Sequence, residues 1–406
     1  MFRKRLLSLF SASSRRLGVS ESNCSNWASI HEARSMLIKN LTGEPTAANM
    51  NGTSEPISPA DSKFSTKVPL SDTSFPLRLK YRTHAGGVRI GRILEDLDTL
   101  AGIASYKHNL SLAVDGKVPL SIVTACVDEI SFFPEYFEHS ARNDDLILNG
   151  EVVWVGRSSM DVLCSLENDK GQPLVQSHFI MVARCPQTAR AAPVVPLKPE
   201  TEAEIRNYEL AEKLNKYRKK ADNLNVFKLR PTEEEMSQIH DNYLQTADQK
   251  HELGSRSLPD NSVWMKNTKL KSILICQPES RNIHNKIFGG WLMRQSLELA
   301  WSVACTVSNG KHRIIFIDDI LFKAPVEIGS ILFLHSQVIY SEGNKFQVRV
   351  RVEKREHTNI NGPGVFTNEM QLTFEAEDDV PKVMPETYAE SILFLSGRRH
   401  FKLHNK

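Results

Sequence analysis

Residues 82–101 (RTHAGGVRIGRILEDLDTLA) and 281–300 (RNIHNKIFGGWLMRQSLELA) align without a gap, so that Gly91 and Gly290 stand 199 positions apart. A repeat of this kind is read before any motif, because it fixes how many times one unit of structure is used. Behind each copy come four runs rich in Val, Ile, Phe and Thr that alternate as half-buried strands do. In the first half they are residues 121–133, 146–156, 160–166 and 175–183, and in the second half 314–322, 330–340, 345–353 and 365–374. Val127-Asp-Glu-Ile130 and Ile317-Asp-Asp-Ile320 read as one strand in two copies. Each half is therefore expected to be a short strand, a loop, one long helix and several antiparallel strands. One helix layered on a curling sheet is an α+β architecture.

A single core rarely grows past roughly 250–300 residues, so a chain of 406 residues needs the two domains that the repeat supplies. Between the halves lies a polar helical stretch, and Thr201 with Glu204 and Thr232 with Glu235 are capping-box patterns there. Hydrophobic residues make up 40% and charged residues 24% of the chain, which excludes wholesale disorder. The net charge of +3 argues against a dedicated nucleic-acid binder. No apolar run approaches the ~20 residues that cross a bilayer. Residues 1–20 hold five basic residues and no acid, and without them the net charge becomes −2. That segment is Arg- and Ser-rich, with Leu6, Leu7, Leu9 and Phe10 between the charges, the composition of a mitochondrial transit peptide. The expected organisation is transit peptide 1–20, disordered leader 21–65, first domain 66–190, helical linker 191–264, second domain 265–380 and a C-terminal tail 381–406.

The six cysteines form no C-x-x-C pair and none has a His at finger spacing, so they are expected to be small buried apolar residues without zinc. His400 and His404 lie four apart in the tail without a third ligand. No metal and no cofactor is expected.

The two helices differ in what they carry. At about 100° per residue, Ile93, Leu94, Leu97, Leu100, Ala101 and Ala104 share one arc of roughly 120°. Asp98 falls about 40° past its edge, away from an open face expected to hold Glu95 and Thr99. A carboxylate at the rim of a buried face is where its proton affinity can be tuned. The equivalent of Asp98 in the second helix is Leu297, and Glu298 is turned by about 100° onto the polar face. In the loop before the helix the asymmetry reverses: Asn282 stands eight residues before Gly290, whereas Thr83 stands eight before Gly91. A repeat paired about a pseudo-two-fold axis would join Asp98 and Asn282 in one complete site and leave Thr83 and Leu297 as a degenerate one.

The pattern Asn282-x-x-Asn285-x-Ile287-Phe288-Gly289-Gly290-x-Leu292-Met293 is similar to the signature of hot dog acyl-coenzyme A (CoA) thioesterases. The span from about 68 to 375 resembles the mitochondrial double hot dog members of that family, through residues 91–98 (GRILEDLD), 154–160 (WVGRSSM) and 281–290 (RNIHNKIFGG). The resemblance implies a double hot dog fold, with a five- or six-stranded antiparallel sheet wrapped around a central helix in each half. It implies acyl-CoA as substrate, a trimer of double hot dogs and a mitochondrial, matrix location. It also implies a catalytic Asp at the seventh residue after the second glycine, here Asp98, and a catalytic Asn at Asn282. The chain departs from the simple pattern at Thr83, at Leu297 and at Asn285, where Gly is common and Asn also tolerates a left-handed backbone.

On this reading Gly289 and Gly290 lead into a helix whose free N–H groups suit a developing oxyanion, and Gly91 and Thr99 are further candidate substrate contacts. Asp98 would activate water as a general base or attack directly to give an anhydride, and the sequence leaves both open. Asn282 either orients the water or carbonyl through its amide or serves the loop, as Asn often does. Gly156-Arg157-Ser158-Ser159, between two strands, is either a hairpin turn or a cradle for a CoA phosphate. The competing functions are a non-catalytic acyl-CoA sensor and a hot dog hydratase; the latter calls for a His/Asp type of site that Asp98 with Asn282 does not supply.

Overall fold

A computed structural model describes residues 55–75, 77–113, 118–133, 144–221, 229–248, 255–282, 285–318 and 320–404. The transit-peptide segment, most of the leader, Cys24 and His284 lie outside the described residues. The chain divides into two compact units, each considered by itself. Unit 1 runs to Glu212 and takes in Gln277–Arg294; unit 2 comprises Lys213–Cys276 and Gln295–Lys406.

In unit 1, a capped turn of helix (α1, Pro59–Ser62) leads into β1 (Phe64–Val68), the long helix α2 (Ile90–His108), and strands β2 (Ser121–Phe132), β3 (Leu146–Val155), β4 (Ser159–Asn168) and β5 (Pro173–Arg184). The strands form one antiparallel sheet in the order β1-β3-β4-β5-β2. Helix α2 lies against it, and Ile93, Leu94, Leu97, Leu100, Ala101, Ile103 and Ala104 are wholly buried. The leader assigned to 21–65 is therefore too long: α1 and the first residues of β1 are already part of this unit, and Ser62 Oγ accepts the Val152 N–H at 2.8 Å. The far end of α2 is tied down by the chain that follows the sheet. His108 Nε2 lies 2.8 Å from the Val195 carbonyl, and Asn109 Oδ1 accepts the Val195 N–H at 3.1 Å. Helix α3 (Glu202–Ala221) follows, with the Thr201–Glu204 capping box in place.

Unit 2 holds α4 (Glu233–Thr246), begun by the Thr232–Glu235 capping box, the short strand β6 (Ser262–Trp264) and β7 (Leu270–Ile275). Helix α5 (Gly289–Ser308) has its first turn in unit 1. Strands β8 (His312–Ile317), β9 (Ile320–Phe322), β10 (Ile331–Glu342), β11 (Lys345–Arg355) and β12 (Val365–Ala376) follow, then β13 (Lys382–Met384) and α6 (Tyr388–His404). The sheet order is β8-β12-β11-β10-β7, antiparallel throughout, with β9 on β12. The run read as one strand over 314–322 is interrupted after Ile317, and β2 has its own register shift at the equivalent place, between Val127 and Ile130. Phe346 stacks on Phe374 at 5.5 Å, and Trp301 meets the Phe374 edge at 6.0 Å.

Residues 388–404, assigned to a tail, are a packed helix instead. Phe394 and Phe401 contact Tyr340 at 5.0 and 5.2 Å, and Arg399 forms a two-pronged pair with Glu235 at 2.6 and 2.7 Å. His400 pairs with Asp318 at 3.0 Å. Cys126, Cys164 and Cys276 are buried as expected of small apolar residues, but Cys185 is half-buried and Cys305 exposed. Among the described residues no helix is long and apolar enough to cross a membrane.

Each unit is an antiparallel sheet with one long helix belonging to it, and the chain is a double hot dog.

Candidate active site

The loop that opens α5 folds by the rules of its sequence. Asn282 N–H donates to the Lys286 carbonyl at 2.6 Å, the Asn282 side-chain oxygen accepts the Lys286 N–H at 3.1 Å, and Asn285 turns the corner at φ +56°. The loop before α2 is the same structure 199 positions earlier. Thr83 N–H donates to the Gly87 carbonyl at 2.8 Å, its hydroxyl accepts the Gly87 N–H at 3.0 Å, and Gly86 takes φ +81°. Asn285 thus does what Gly86 does, by the tolerance Asn has for the left-handed region. Asn282 and Thr83 serve their turns alike through a side-chain oxygen; what Asn282 adds is an amide NH2.

That loop delivers the first turn of α5 to Asp98. The Gly290 N–H donates to Asp98 Oδ2 at 2.7 Å, and the Thr124 hydroxyl donates to Asp98 Oδ1 at 2.6 Å. Asp98 is 2% exposed. Burial pushes its carboxyl up to about 6, against the two hydrogen bonds, which favour the ionised form, while the Glu95 charge adds to the rise. The Gly290 N–H is one of the unpaired donors of a helix start, at the end where the peptide dipoles favour an anion.

Four expectations are corrected by this geometry. Glu95 and Thr99 do not lie on an open face: they are 3% and 1% exposed, because α2 is covered all round. The Thr99 hydroxyl donates back to the Glu95 carbonyl at 3.1 Å, as Thr does inside a helix, and so is no oxyanion donor. Gly290 does not present a free N–H to an oxyanion, since Asp98 takes it. Gly91 is a packing residue: a Cβ there would stand 3.0 Å from Arg294 Cγ. Gly156–Ser159 closes the β3–β4 hairpin through the Gly156 N–H to Ser159 carbonyl bond at 2.8 Å, and the Arg157 and Ser158 carbonyls accept the Val194 and Ala183 N–H groups.

No family model matches the chain. It is 43% identical over 335 residues to the mitochondrial acyl-coenzyme A thioesterase 9 of Homo sapiens, covering 80% of this chain and 74% of that protein. It is 42% identical over 354 residues to the mitochondrial acyl-coenzyme A thioesterase 10 of Mus musculus, covering 84% and 77%. This chain belongs to the acyl-coenzyme A thioesterase family. Among solved structures, an acyl-CoA hydrolase from Staphylococcus aureus in complex with butyryl coenzyme A, coenzyme A and coenzyme A disulfide matches at TM-score 0.33 and 24% identity, over 35% of this chain and 89% of that one.

In this thioesterase, Thr124 is the contact of Asp98 that sequence reasoning passed over. Simple alternation puts Thr124 on one face of β2 with Ile122 and Cys126, both buried, and a hydroxyl in such a row was the signal. Also passed over were the Tyr81 hydroxyl, which donates to buried Asp96 at 2.5 Å, and the buried pair of His178 with Asp161 at 2.8 Å. Among the described residues no group of three His, Cys, Asp or Glu is arranged to hold a metal ion.

Proposed function

We propose that this thioesterase hydrolyses acyl-CoA to a free acid and CoA with Asp98 as the base. The observation that carries this is the buried carboxylate held between the Gly290 N–H and the Thr124 hydroxyl. A free aspartate at 3.8 is ionised but feeble near neutrality; one lifted to about 6 is still ionised there and takes a proton from water more readily. With both carboxylate oxygens engaged, activating a water asks less of the site than forming a bond to the acyl carbon. The Asn282 amide NH2 would orient that water or the thioester carbonyl. The oxyanion would fall to the first-turn N–H of Gly289, next to the one Asp98 occupies.

The same reading gives the enzyme to the mitochondrial matrix, supported by the mitochondrial relatives and by the Arg-rich, acid-free segment 1–20. It also gives it an assembly of copies, three by the family resemblance, and the exposed Ile273 and Ile275, at 60% and 58%, on the outer strand β7 of its sheet support self-association. The Gly156–Ser159 turn, with Arg157 exposed, is the candidate contact for a CoA phosphate.

The test is CoA release from short-, medium- and long-chain acyl-CoA by wild type and by Asp98→Asn. Turnover abolished in the variant supports the reading; turnover retained at the wild-type rate overturns the assignment of Asp98. Folded wild type that binds acyl-CoA and releases no CoA would instead favour the sensor. In a single turnover in H2¹⁸O, label in the Asp98 carboxylate establishes an anhydride opened by water at the aspartyl carbonyl, whereas a general base places the label in the released acid alone.

A further inference from the structure

Glu95 and Arg294 occupy equivalent positions of the two repeats, four residues beyond Gly91 and Gly290 respectively. The two glycines and the two charged residues meet in unit 1. A Cβ on Gly290 would stand 2.7 Å from the Glu95 Cα and 3.0 Å from its carbonyl oxygen, and a Cβ on Gly91 would stand 3.0 Å from Arg294 Cγ. The Glu95 Oε2 accepts a hydrogen bond from Arg92 Nη1 at 2.6 Å and stands 2.9 Å from Arg294 Nε, a charge contact in which the Nε–H is not aimed at the carboxylate. Glu95 is 3% exposed and the Arg294 side chain 18%. Burying charge is costly unless it is paired with good geometry. If both repeats kept Glu at this position, two buried carboxylates would face each other, and if both kept Arg, two guanidiniums would. Divergence to opposite charges turns the most crowded point of the contact between α2 and the start of α5 into an ion pair.

We propose that Glu95 and Arg294 are positioning residues of the reaction: their ion pair fixes the first turn of α5 on α2 at the distance that lets the Gly290 N–H reach Asp98. The inference rests on Asp98 being the base. Glu95 lies one helical turn before Asp98, so the pair also bears on the electrostatics of the site. The groups facing Glu95 are Arg92 and Asp96 on α2 and Arg294 on α5, with Asp98 next along the helix. Burial pushes the Glu95 carboxyl up, the two guanidiniums work against that rise, and a charge on Glu95 opposes a second charge on Asp98.

The test is steady-state kinetics of full-length Glu95→Arg, Arg294→Glu and their exchange, beside Glu95→Gln and an Asp98→Asn control. The exchange keeps the count of one carboxylate and two guanidiniums, because Arg92 remains. Each single reversal is expected to lower kcat by about 100-fold, and the exchange to recover at least about tenfold over either single, the size of effect that positioning errors produce. Glu95→Gln removes the anion that raises Asp98, so the acid limb of its kcat/KM profile moves down by about half a pH unit, as expected for a partly neutralised charge one turn away. An exchange no better than the worse single reversal, with circular dichroism unchanged, overturns the inference. So does Glu95→Gln with wild-type kcat and an unmoved acid limb, which alone decides the matter if the reversals do not fold. Full turnover in Asp98→Asn refutes the base assignment instead, so the two failures are told apart.

Discussion

Asp98 makes a prediction that joins stability to activity. Its carboxyl titrates at about 6 in the folded chain against 3.8 for an ordinary aspartate. Each pH unit of that shift is worth about 1.4 kcal/mol, so the ionised form costs the folded state about 3 kcal/mol. Because the folded pKa is the higher one, the folded state holds a proton that the unfolded chain has lost between roughly pH 4 and pH 6. Stability from this group is therefore present below about pH 4, falls across that window, and is fully lost above about pH 6. Asp98→Asn removes the titration and keeps the shape. Its amide oxygen accepts the Gly290 N–H, and its NH2 donates to the Thr124 oxygen once that hydroxyl turns round. The difference in unfolding free energy between variant and wild type should thus be about 3 kcal/mol more favourable to the variant at pH 8 than at pH 4, by urea unfolding followed by circular dichroism, while CoA release is lost. A variant shifted by the same amount at both pH values would refute the account of Asp98 as a carboxylate charged at the expense of stability.

Gly290→Ala puts a methyl group 2.7 Å from the Glu95 Cα, where no flexible side chain can yield. It should cost about 1–3 kcal/mol and lower kcat/KM by pulling the Gly290 N–H off Asp98, although Ala at a helical position is otherwise worth about 1 kcal/mol; a more stable protein in thermal unfolding would contradict the close approach. Thr124→Val removes the hydrogen bond that lowers the Asp98 pKa, so the acid limb of kcat/KM moves to higher pH and stability at pH 8 drops by about 1–3 kcal/mol; an unmoved limb counts against the contact. Leu297→Asp restores the missing carboxylate of the second repeat at a position 5% exposed. It should destabilise the protein at pH 8 by at least about 3 kcal/mol without raising turnover, and a rate gain in the CoA-release assay would refute the view that the second repeat does without this carboxylate.

The repeat made the fold legible. Strand bounds read from alternation match β2, β3, β10 and β11 within a residue or two, because Val, Ile and Phe on one face of each are dictated by burial. What alternation does not encode is a break in a strand that keeps its composition, as after Ile317, or the docking of a helix such as α6, whose Phe394 and Phe401 follow a stretch that reads as polar. At the site, Asp98 was visible because a face of apolar residues has an edge. Its burial was not, because helical geometry assigns a residue to a face of one helix and says nothing of what covers that face. Glu95 and Thr99 were misread for the same reason. The Gly290 N–H was expected to await a substrate oxygen; that a carboxylate 192 residues earlier takes it is a fact of tertiary structure.

The asymmetry of the two repeats follows from the same energetics. A buried carboxylate of the Asp98 kind costs about 3 kcal/mol above pH 6, a large share of the 5–15 kcal/mol that holds an ordinary domain together. Two such sites would double the cost. Leu297, at the place of Asp98 in the second repeat, turns a charge that would have to be solvated by donors into apolar surface that stabilises by roughly 2 kcal/mol when buried. Thr83 keeps the service that Asn282 also performs, accepting the N–H four residues on, and has a hydroxyl where Asn282 has an amide. Each departure from the repeat therefore removes a group whose burial or retention only chemistry would justify, and each retained group, Asp98 in one copy and Asn282 in the other, is the more expensive or the more elaborate choice for its position. The Glu95–Arg294 pair follows the same logic at the contact itself, where identical charges could not have been buried together and opposite ones could.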